Sequence, residues 1–163
     1  MASRIEDYAL IGDTYSAGLV ARDGSIDWLC LPRFDSGACF AALLGDDSHG
    51  RWQIAPAGEV TRTERRYRAG TLVLETDFET TEGSARVIDF MPRGDGPPQV
   101  MRVVEGLGGR MAMRMELRPR FDYGAVAPMV EHYLGMGMAD VDRAFTAYMK
   151  HIANEELSAQ WRS

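Results

Sequence analysis

Several features that mark common protein classes are missing from this sequence. It contains no stretch of about 18 apolar residues, so we expect no membrane-spanning helix. The first residues carry no basic region followed by an apolar core, so we expect no secretory signal and predict a cytoplasmic location. The 163 residues include only two cysteines, Cys30 and Cys39, which are too few for a disulfide framework.

Neither the charged residues nor the possible metal ligands form a pattern that indicates a binding partner. The net charge is −6 and the acidic residues are dispersed, whereas nucleic-acid binders present a basic face, so we expect no nucleic-acid partner. The histidines, His49, His132 and His151, lack the spacing of metal ligands, and no glycine-rich loop of the P-loop type occurs. We therefore predict neither a metal nor a cofactor.

Residues 5–127 show the alternation and the turn residues of an antiparallel β-protein. Asp23-Gly24 is typical of a two-residue type I′ hairpin turn, in which both central residues have positive φ. Glu82-Gly83 and the glycine-rich segment 106–109 are predicted to connect two further pairs of strands. The pattern predicts a mainly β fold, an antiparallel β-sandwich with one wet face.

Two of the predicted strands alternate clearly between apolar and polar residues. In such a strand, successive side chains point to opposite faces of the sheet. The predicted apolar faces comprise Leu72, Leu74 and Phe78 in the first strand, and Met111, Met113, Met115 and Leu117 in the second.

The pattern changes near Pro128. Residues 138–161 are predicted to form a C-terminal α-helix, because apolar residues recur at helical spacing. The apolar stripe of this helix consists of Val141, Phe145, Tyr148 and Ile152. We predict a β-sandwich over residues 1–128 and a helical tail over 129–163, whose stripe packs on its own sandwich, forms a homo-oligomer or binds another protein.

One segment has a specific order of residues. Residues 23–36 are DGSIDWLCLPRFDS, and residues 40–45 are FAALLG. Weaker support comes from three further segments, at 66–76, 87–92 and 118–124. Through these motifs, residues of about 5–124 resemble the N-terminal, trehalase-like β-sandwich domain of glycoside hydrolase family 15. This family is the bacterial glucoamylase, glucodextranase and trehalase group.

The resemblance implies a large antiparallel β-sandwich that precedes an (α/α)6 barrel. In the family, the barrel supplies two glutamates, a general acid and a general base, which cleave α-glucosidic bonds with inversion. This sequence departs from the family after Tyr123-Gly124 and has no counterpart of those glutamates. We therefore assign no catalytic residue. We also expect an incomplete sandwich whose open edge or core face the tail helix covers.

Residues 33–36 are the main candidate for a site. The resemblance places this loop near the sugar pocket at the sandwich–barrel junction, with Phe34 stacking on a sugar and Arg33 hydrogen-bonding a hydroxyl. The alternative is structural: Asp35 or Ser36 caps the short helix predicted at 40–45, and Arg33 contacts Asp35.

Aromatic and acidic residues give weaker candidates. Trp28, Trp52 and Tyr67 are either a platform for a sugar or, as is more common on such strands, core and interface residues. One interpretation of the acidic residues is a catalytic acid/base pair, formed by Asp27 and Asp35 or by residues of one acidic strand face. A solvated polar face is the simpler interpretation. That acidic face consists of Glu75, Asp77 and Glu79.

The sequence leaves three hypotheses for function. The first is a non-catalytic accessory domain, inactive alone, that binds an α-glucoside weakly or docks on a separate chain that carries the catalytic barrel. The second is a structural module that oligomerises or binds a partner through the stripe of the C-terminal helix. The third is a truncated or frameshifted fragment of a hydrolase.

Overall fold

The computed structural model describes residues 4–94 and 96–124. Within these residues, ten strands form two antiparallel sheets, and the only helical segments are three 3₁₀ turns of three residues each. The mainly β fold is therefore confirmed for the described part of the chain. The predicted boundary at residue 128 and the predicted helix over 138–161 lie outside the described residues. No helix in the described part is long and apolar enough to cross a membrane.

The first sheet has the strand order β1-β2-β3-β5-β10, and β4 pairs with β3 beside this path. Its middle is the hairpin of β2 and β3, which is irregular because the register shifts between Leu19 and Val20. The strands are β1 (Ala9–Gly12), β2 (Ala17–Val20), β3 (Ser25–Cys30), β4 (Ala38–Phe40), β5 (Arg51–Pro56) and β10 (Met113–Arg118).

The second sheet has the order β6-β7-β8-β9, with each strand antiparallel to the next along the chain. Its strands are β6 (Arg62–Tyr67), β7 (Leu74–Glu79), β8 (Gly83–Phe90) and β9 (Met101–Gly109). The glycines at 106–109 were expected in a connection, and this prediction is wrong. They lie within β9, where Gly108 and Gly109 pair with Ser84 and Gly83.

Buried apolar side chains from both sheets meet in two clusters. The larger cluster joins residues of β1 to β4, such as Ile11 and Phe40, to Leu74 of β7. The smaller one joins Ile54 of β5 to Phe78 and Val87 of the second sheet. The alternation predicted for β7 is confirmed for Leu74 and Phe78, which are each about 1% exposed while Glu79 on the other face is exposed. It is wrong for Leu72, which lies before β7 and is 45% exposed. Hydrophobic burial between the sheets is thus the main stabilising contribution to this fold.

The outer face of the second sheet carries a network of ion pairs rather than a simple solvated face. Glu75 is only 8% exposed in its side chain, since Arg66 and Arg68 each approach its carboxylate to 2.7 Å. Asp77 accepts two hydrogen bonds from Arg86, of 2.6 and 2.9 Å. The acidic residues of β7 are therefore neutralised by arginines of β6 and β8 and by Arg68, which directly follows β6.

A buried charge pair links the sheets. Arg102 of β9 and Asp89 of β8 have side chains that are 1% and 0% exposed, with 2.7 Å between Nε and Oδ1. Arg102 also donates to two backbone carbonyl oxygens on the side of the first sheet: that of Trp52 in β5 and that of Gly24 in the turn between β2 and β3. Its guanidinium carbon lies 5.3 Å from the centre of the Trp52 ring. One side chain thus satisfies acceptors in both layers.

The turn between β2 and β3 differs from the predicted type I′ turn. Gly24 has φ +80°, but Asp23 does not have positive φ. The amide of Gly24 donates to the carbonyl oxygen of Ala21, so the turn spans residues 21–24 with one left-handed residue at its end. The carboxylate of Asp23 instead accepts hydrogen bonds from the Ser25 amide and the Gln53 side chain. These bonds explain why an aspartate is favoured there.

Candidate functional site

Three connections between strands line one cleft of about 690 Å³. They are the β1–β2 turn, the β3–β4 loop and the proline-rich connection from β8 to β9. The lining residues are Asp13, Tyr15, Pro32, Arg33, Pro92, Arg93, Gly94, Gly96, Pro97, Pro98 and Gln99. Loops held by a rigid pair of sheets commonly carry binding residues, so this end of the molecule is the candidate site. We call it the loop end.

The β1–β2 turn is held by the buried carboxylate of Asp13. Its Oδ1 atom accepts hydrogen bonds from the backbone amides of Tyr15, at 2.9 Å, and Ser16, at 2.8 Å. Ser16 is fully buried, and its hydroxyl donates to the carbonyl oxygen of Cys30. Between these anchors Thr14 has φ +86°, and Tyr15 is left 69% exposed. The turn therefore presents an aromatic ring to solvent from a fixed backbone.

The β3–β4 loop is held by its own side chains. Arg33 donates to Asp35 through Nε, at 2.8 Å to Oδ1, and through Nη2, at 3.2 Å to Oδ2. The buried hydroxyl of Ser36 accepts a hydrogen bond from the Arg33 amide, at 3.2 Å. The Phe34 amide donates to the carbonyl oxygen of Tyr15, which joins this loop to the β1–β2 turn. Phe34 itself is 61% exposed.

These contacts settle the structural alternative for residues 33–36. The predicted contact between Arg33 and Asp35 is confirmed, but the prediction that Asp35 or Ser36 caps a helix is wrong. The 3₁₀ turn Ala42–Leu44 begins after Ala41 and has no side-chain cap, because Phe40 is still in strand β4. A capping aspartate does occur one turn later, where Asp46 accepts from the Ser48 amide at 2.9 Å.

The predicted site residues do not all lie together. Arg33 lines the cleft, and Phe34 and Asp35 follow it in the same loop. Trp28 is half-buried on the opposite face of β3 from the core residue Leu29, and its ring centre lies 5.9 Å from that of Tyr123. The proposed sugar contacts of all four predicted residues, Trp28, Arg33, Phe34 and Asp35, stay predictions.

The alternative aromatic platform is not assembled in the described residues. Trp52 packs against the core and under Arg102, whereas Trp28 packs against a separate cluster around Cys30. Tyr67 lies on β6, where its hydroxyl accepts from the Leu10 amide and donates to the Leu10 carbonyl oxygen. Each ring thus has its own structural role.

Arg33 keeps one carboxyl group of the loop end in its charged form. The hydrogen bond from Arg33 lowers the pKa of Asp35 below its usual range. Burial raises the pKa of the thiols of Cys30 and Cys39, which makes both poor nucleophiles. In residues 4–94 and 96–124, no cluster of three or more His, Cys, Asp or Glu side chains could hold a metal ion.

Comparison with known proteins identifies the family. A family model described as "Trehalase-like, N-terminal" matches residues 1–138. The chain belongs to this family. The trehalase-like N-terminal domain therefore accounts for all of the described fold, including the loop end. No solved structure matches it significantly.

The curated relatives of this trehalase-like N-terminal domain that follow are all named trehalases. The trehalase of Mycobacterium tuberculosis (strain ATCC 25618 / H37Rv) is 32% identical over 138 residues, which is 73% of this chain and 20% of the relative. The trehalase of Thermoplasma volcanium is 33% identical over 134 residues, 78% of this chain and 22% of the relative. Trehalase 2 of Sulfolobus acidocaldarius is 31% identical over 120 residues, 74% and 19% of the two chains. The chain thus spans about a fifth of the length of the curated relatives that it matches.

Two parts of the loop end were not found from the sequence. Tyr15 lies in a short turn with no pattern of its own, and only the pairing of β1 with β2 brings it beside Phe34. The connection between β8 and β9 contains two glycines and three prolines, which indicate a loop but not its position over Arg33.

Proposed function

We propose that this domain is a non-catalytic part of a hydrolase that acts on trehalose or a related α-glucoside. Its loop end packs on the catalytic domain and borders the sugar site there. The proposal is supported by the family match, by relatives that are named trehalases, and by the small share of those relatives that the domain spans. The observation that carries it is the exposure of two aromatic side chains: Tyr15 lines the cleft, and Phe34 follows the lining residue Arg33.

The partners of three carboxylates, Glu75, Asp77 and Asp13, support the non-catalytic part of this proposal. A general acid needs a raised pKa beside a pocket, and a general base needs a carboxylate facing it across the substrate. Hydrogen bonds from Arg68 and Arg86, respectively, lower the pKa of Glu75 and Asp77. In the cleft, Oδ1 of Asp13 is already bound by two backbone amides. These groups therefore hold the fold together and are not arranged for proton transfer.

One carboxylate does have a raised pKa. Partial burial raises the pKa of Asp23 above its ordinary value. Asp23 lies in the β2–β3 turn, where Gln53 donates to its Oδ2 atom at 2.9 Å. It is not among the residues that line the cleft. The shift thus results from its place in the turn and supports no catalytic role.

The loop end has the properties of a docking surface. Phe34 and Tyr15 are 61% and 69% exposed, although the backbone that carries them is held by several hydrogen bonds. Exposed aromatic rings on rigid supports lose little conformational entropy when they bind. Arg33 and Asp35 add a charged pair at the rim, where polar groups orient a partner or a sugar hydroxyl.

Two measurements test this function. The purified chain is assayed on trehalose, maltose and dextrin, and we expect no turnover. Turnover that is lost when a carboxylate of this chain is replaced would refute the non-catalytic assignment.

The second measurement tests the docking surface. Binding is measured between the chain and the part of the M. tuberculosis trehalase that lies beyond the matched region. We expect Tyr15→Ala/Phe34→Ala to weaken binding at least about tenfold, as loss of aromatic anchors does at interfaces. Leu72→Ala, which removes an exposed side chain from the β6–β7 connection, is the matched control. Equal binding by both variants would show that the loop end is not the contact.

A further inference from the structure

The two sheets are closed against each other along one side. There, β1 and β6 are the outer strands of their sheets, and the Tyr67 hydroxyl of β6 is hydrogen-bonded to the Leu10 backbone of β1. Arg65 of β6 also donates to the Val20 carbonyl oxygen, at 3.1 Å. Side chains of one sheet thus bind the backbone of the other.

The opposite side, bordered by β9 and β10, is open within the described residues. Each of these strands is the last of its sheet and pairs on one side only. Val104 of β9 is opposite Val87 in the ladder, and Met115 of β10 is opposite Ile54. Directly paired residues point to the same face, and Val87 and Ile54 belong to the core. Val104 and Met115 therefore point inward.

Inward-facing apolar side chains are normally buried, but these two are not. Val104 is 45% exposed and Met115 is 39% exposed, whereas their partners Val87 and Ile54 are 0% and 6% exposed. The interior between the sheets is thus uncovered along this side, next to two strand edges with unpaired backbone groups. Proteins cover such edges, because an open edge otherwise pairs with another chain.

We propose that residues 125–163 of this chain cover the opening between β9 and β10. The described chain ends at Gly124, six residues after β10, which is one of the two strands that border the opening. Segment 125–137 reaches about 40 Å when extended, twice the roughly 20 Å length of β10, so the residues after this segment can return over the whole strand. The stripe that packs on Val104 and Met115 is Val141, Phe145, Tyr148 and Ile152. This proposal does not depend on the proposed function, since it concerns a different surface.

Methionine oxidation of the full chain by hydrogen peroxide tests the proposal. Met91 is 5% exposed and Met101 is 42% exposed on the outer face of β9, so they serve as the buried and the exposed reference. On its exposure in the described residues, Met115 should react as fast as Met101. If the tail covers it, we expect Met115 to be oxidised about tenfold more slowly than Met101. Equal rates for Met115 and Met101 would overturn the proposal.

The occupant is identified by variants and by dilution. Phe145→Asp/Tyr148→Asp should bring the oxidation rate of Met115 up to that of Met101. Arg143→Asp/Lys150→Asp, on the opposite face of the predicted helix, should leave it slow. Protection that survives the stripe variant, or that disappears on dilution as for a second copy, contradicts the proposal.

If the stripe variant unfolds, the buried reference Met91 also becomes reactive. A cross-linking measurement then tests the proposal without that variant. A benzoylphenylalanine is placed at position 104 of the otherwise unchanged chain and is activated by light. We expect the cross-linked peptide to lie within residues 138–161 of the same chain. A cross-link to a second chain, or none to the tail, overturns the proposal.

Discussion

Replacing Arg102 should destabilise this domain more than replacing any exposed arginine. Its guanidinium makes two hydrogen bonds to Asp89, at 2.7 and 3.3 Å, and two to the carbonyl oxygens of Trp52 and Gly24. Arg102→Met removes all four donors while keeping an unbranched side chain of similar length. It leaves a carboxylate that is 0% exposed without its counter-charge.

The magnitude is set by the burial of the pair. Removing one partner of a buried ion pair costs about 3–5 kcal/mol, because the other charge stays buried and uncompensated. This cost is a large share of the roughly 5–15 kcal/mol by which domains are stable. Arg102→Met/Asp89→Leu removes both charges at once, so we expect it to cost less than Arg102→Met alone.

Urea unfolding followed by tryptophan fluorescence and circular dichroism measures these differences. The control is Arg62→Met, whose arginine is 58% exposed and whose partners Glu64 and Glu79 are 54% and 48% exposed, so its cost should stay below about 1 kcal/mol. If Arg102→Met costs no more than Arg62→Met, the argument that the pair holds the two sheets together is wrong. The same conclusion holds if the double variant is less stable than Arg102→Met.

Three further predictions concern single positions. Gly24→Ala should cost about 2 kcal/mol or more in urea unfolding, since φ is +80° and the new Cβ would lie 2.2 Å from a backbone oxygen. The control Gly106→Ala, whose new Cβ would meet open space, should be nearly neutral. Burial raises the pKa of the Cys39 thiol, so Ellman's reagent should label Cys39 only after denaturation, and rapid labelling of the native chain would refute this. Hydrogen bonds from Arg86 lower the pKa of Asp77, so its contribution to stability is present above about pH 4 and is lost as the pH falls through the lowered value. Asp77→Asn should therefore reduce the acid-induced loss of stability, as measured by unfolding at a series of pH values.

Local patterns predicted part of the fold, because the face of a strand is decided by neighbouring residues. The alternation in β10 correctly placed Met113, Met115 and Leu117 on one face, as their pairing with β5 shows. The glycines at 106–109 led to a wrong prediction, because glycine is typical of turns. These residues instead pair with β8. Whether a glycine lies in a turn or in a ladder depends here on a strand more than 20 residues away.

The candidate site was likewise predictable only where the residues in contact are neighbours in the sequence. The contact between Arg33 and Asp35 joins residues two positions apart, so the sequence alone suggests it. The approach of Tyr15 to Phe34, and of Arg102 to Trp52, depends on strand register and on how two sheets meet. No local pattern encodes those distances, which is why the third loop of the cleft and the buried charge pair required the structure.

Restoration of activity tests the central claim most directly. A trehalase relative is prepared without the residues that match this domain, and trehalose hydrolysis is measured before and after this chain is added. We predict that neither chain alone turns over trehalose efficiently and that the mixture does so, with the gain lost in Tyr15→Ala/Phe34→Ala. Full activity of the shortened relative alone, or turnover by this chain alone, would contradict the account.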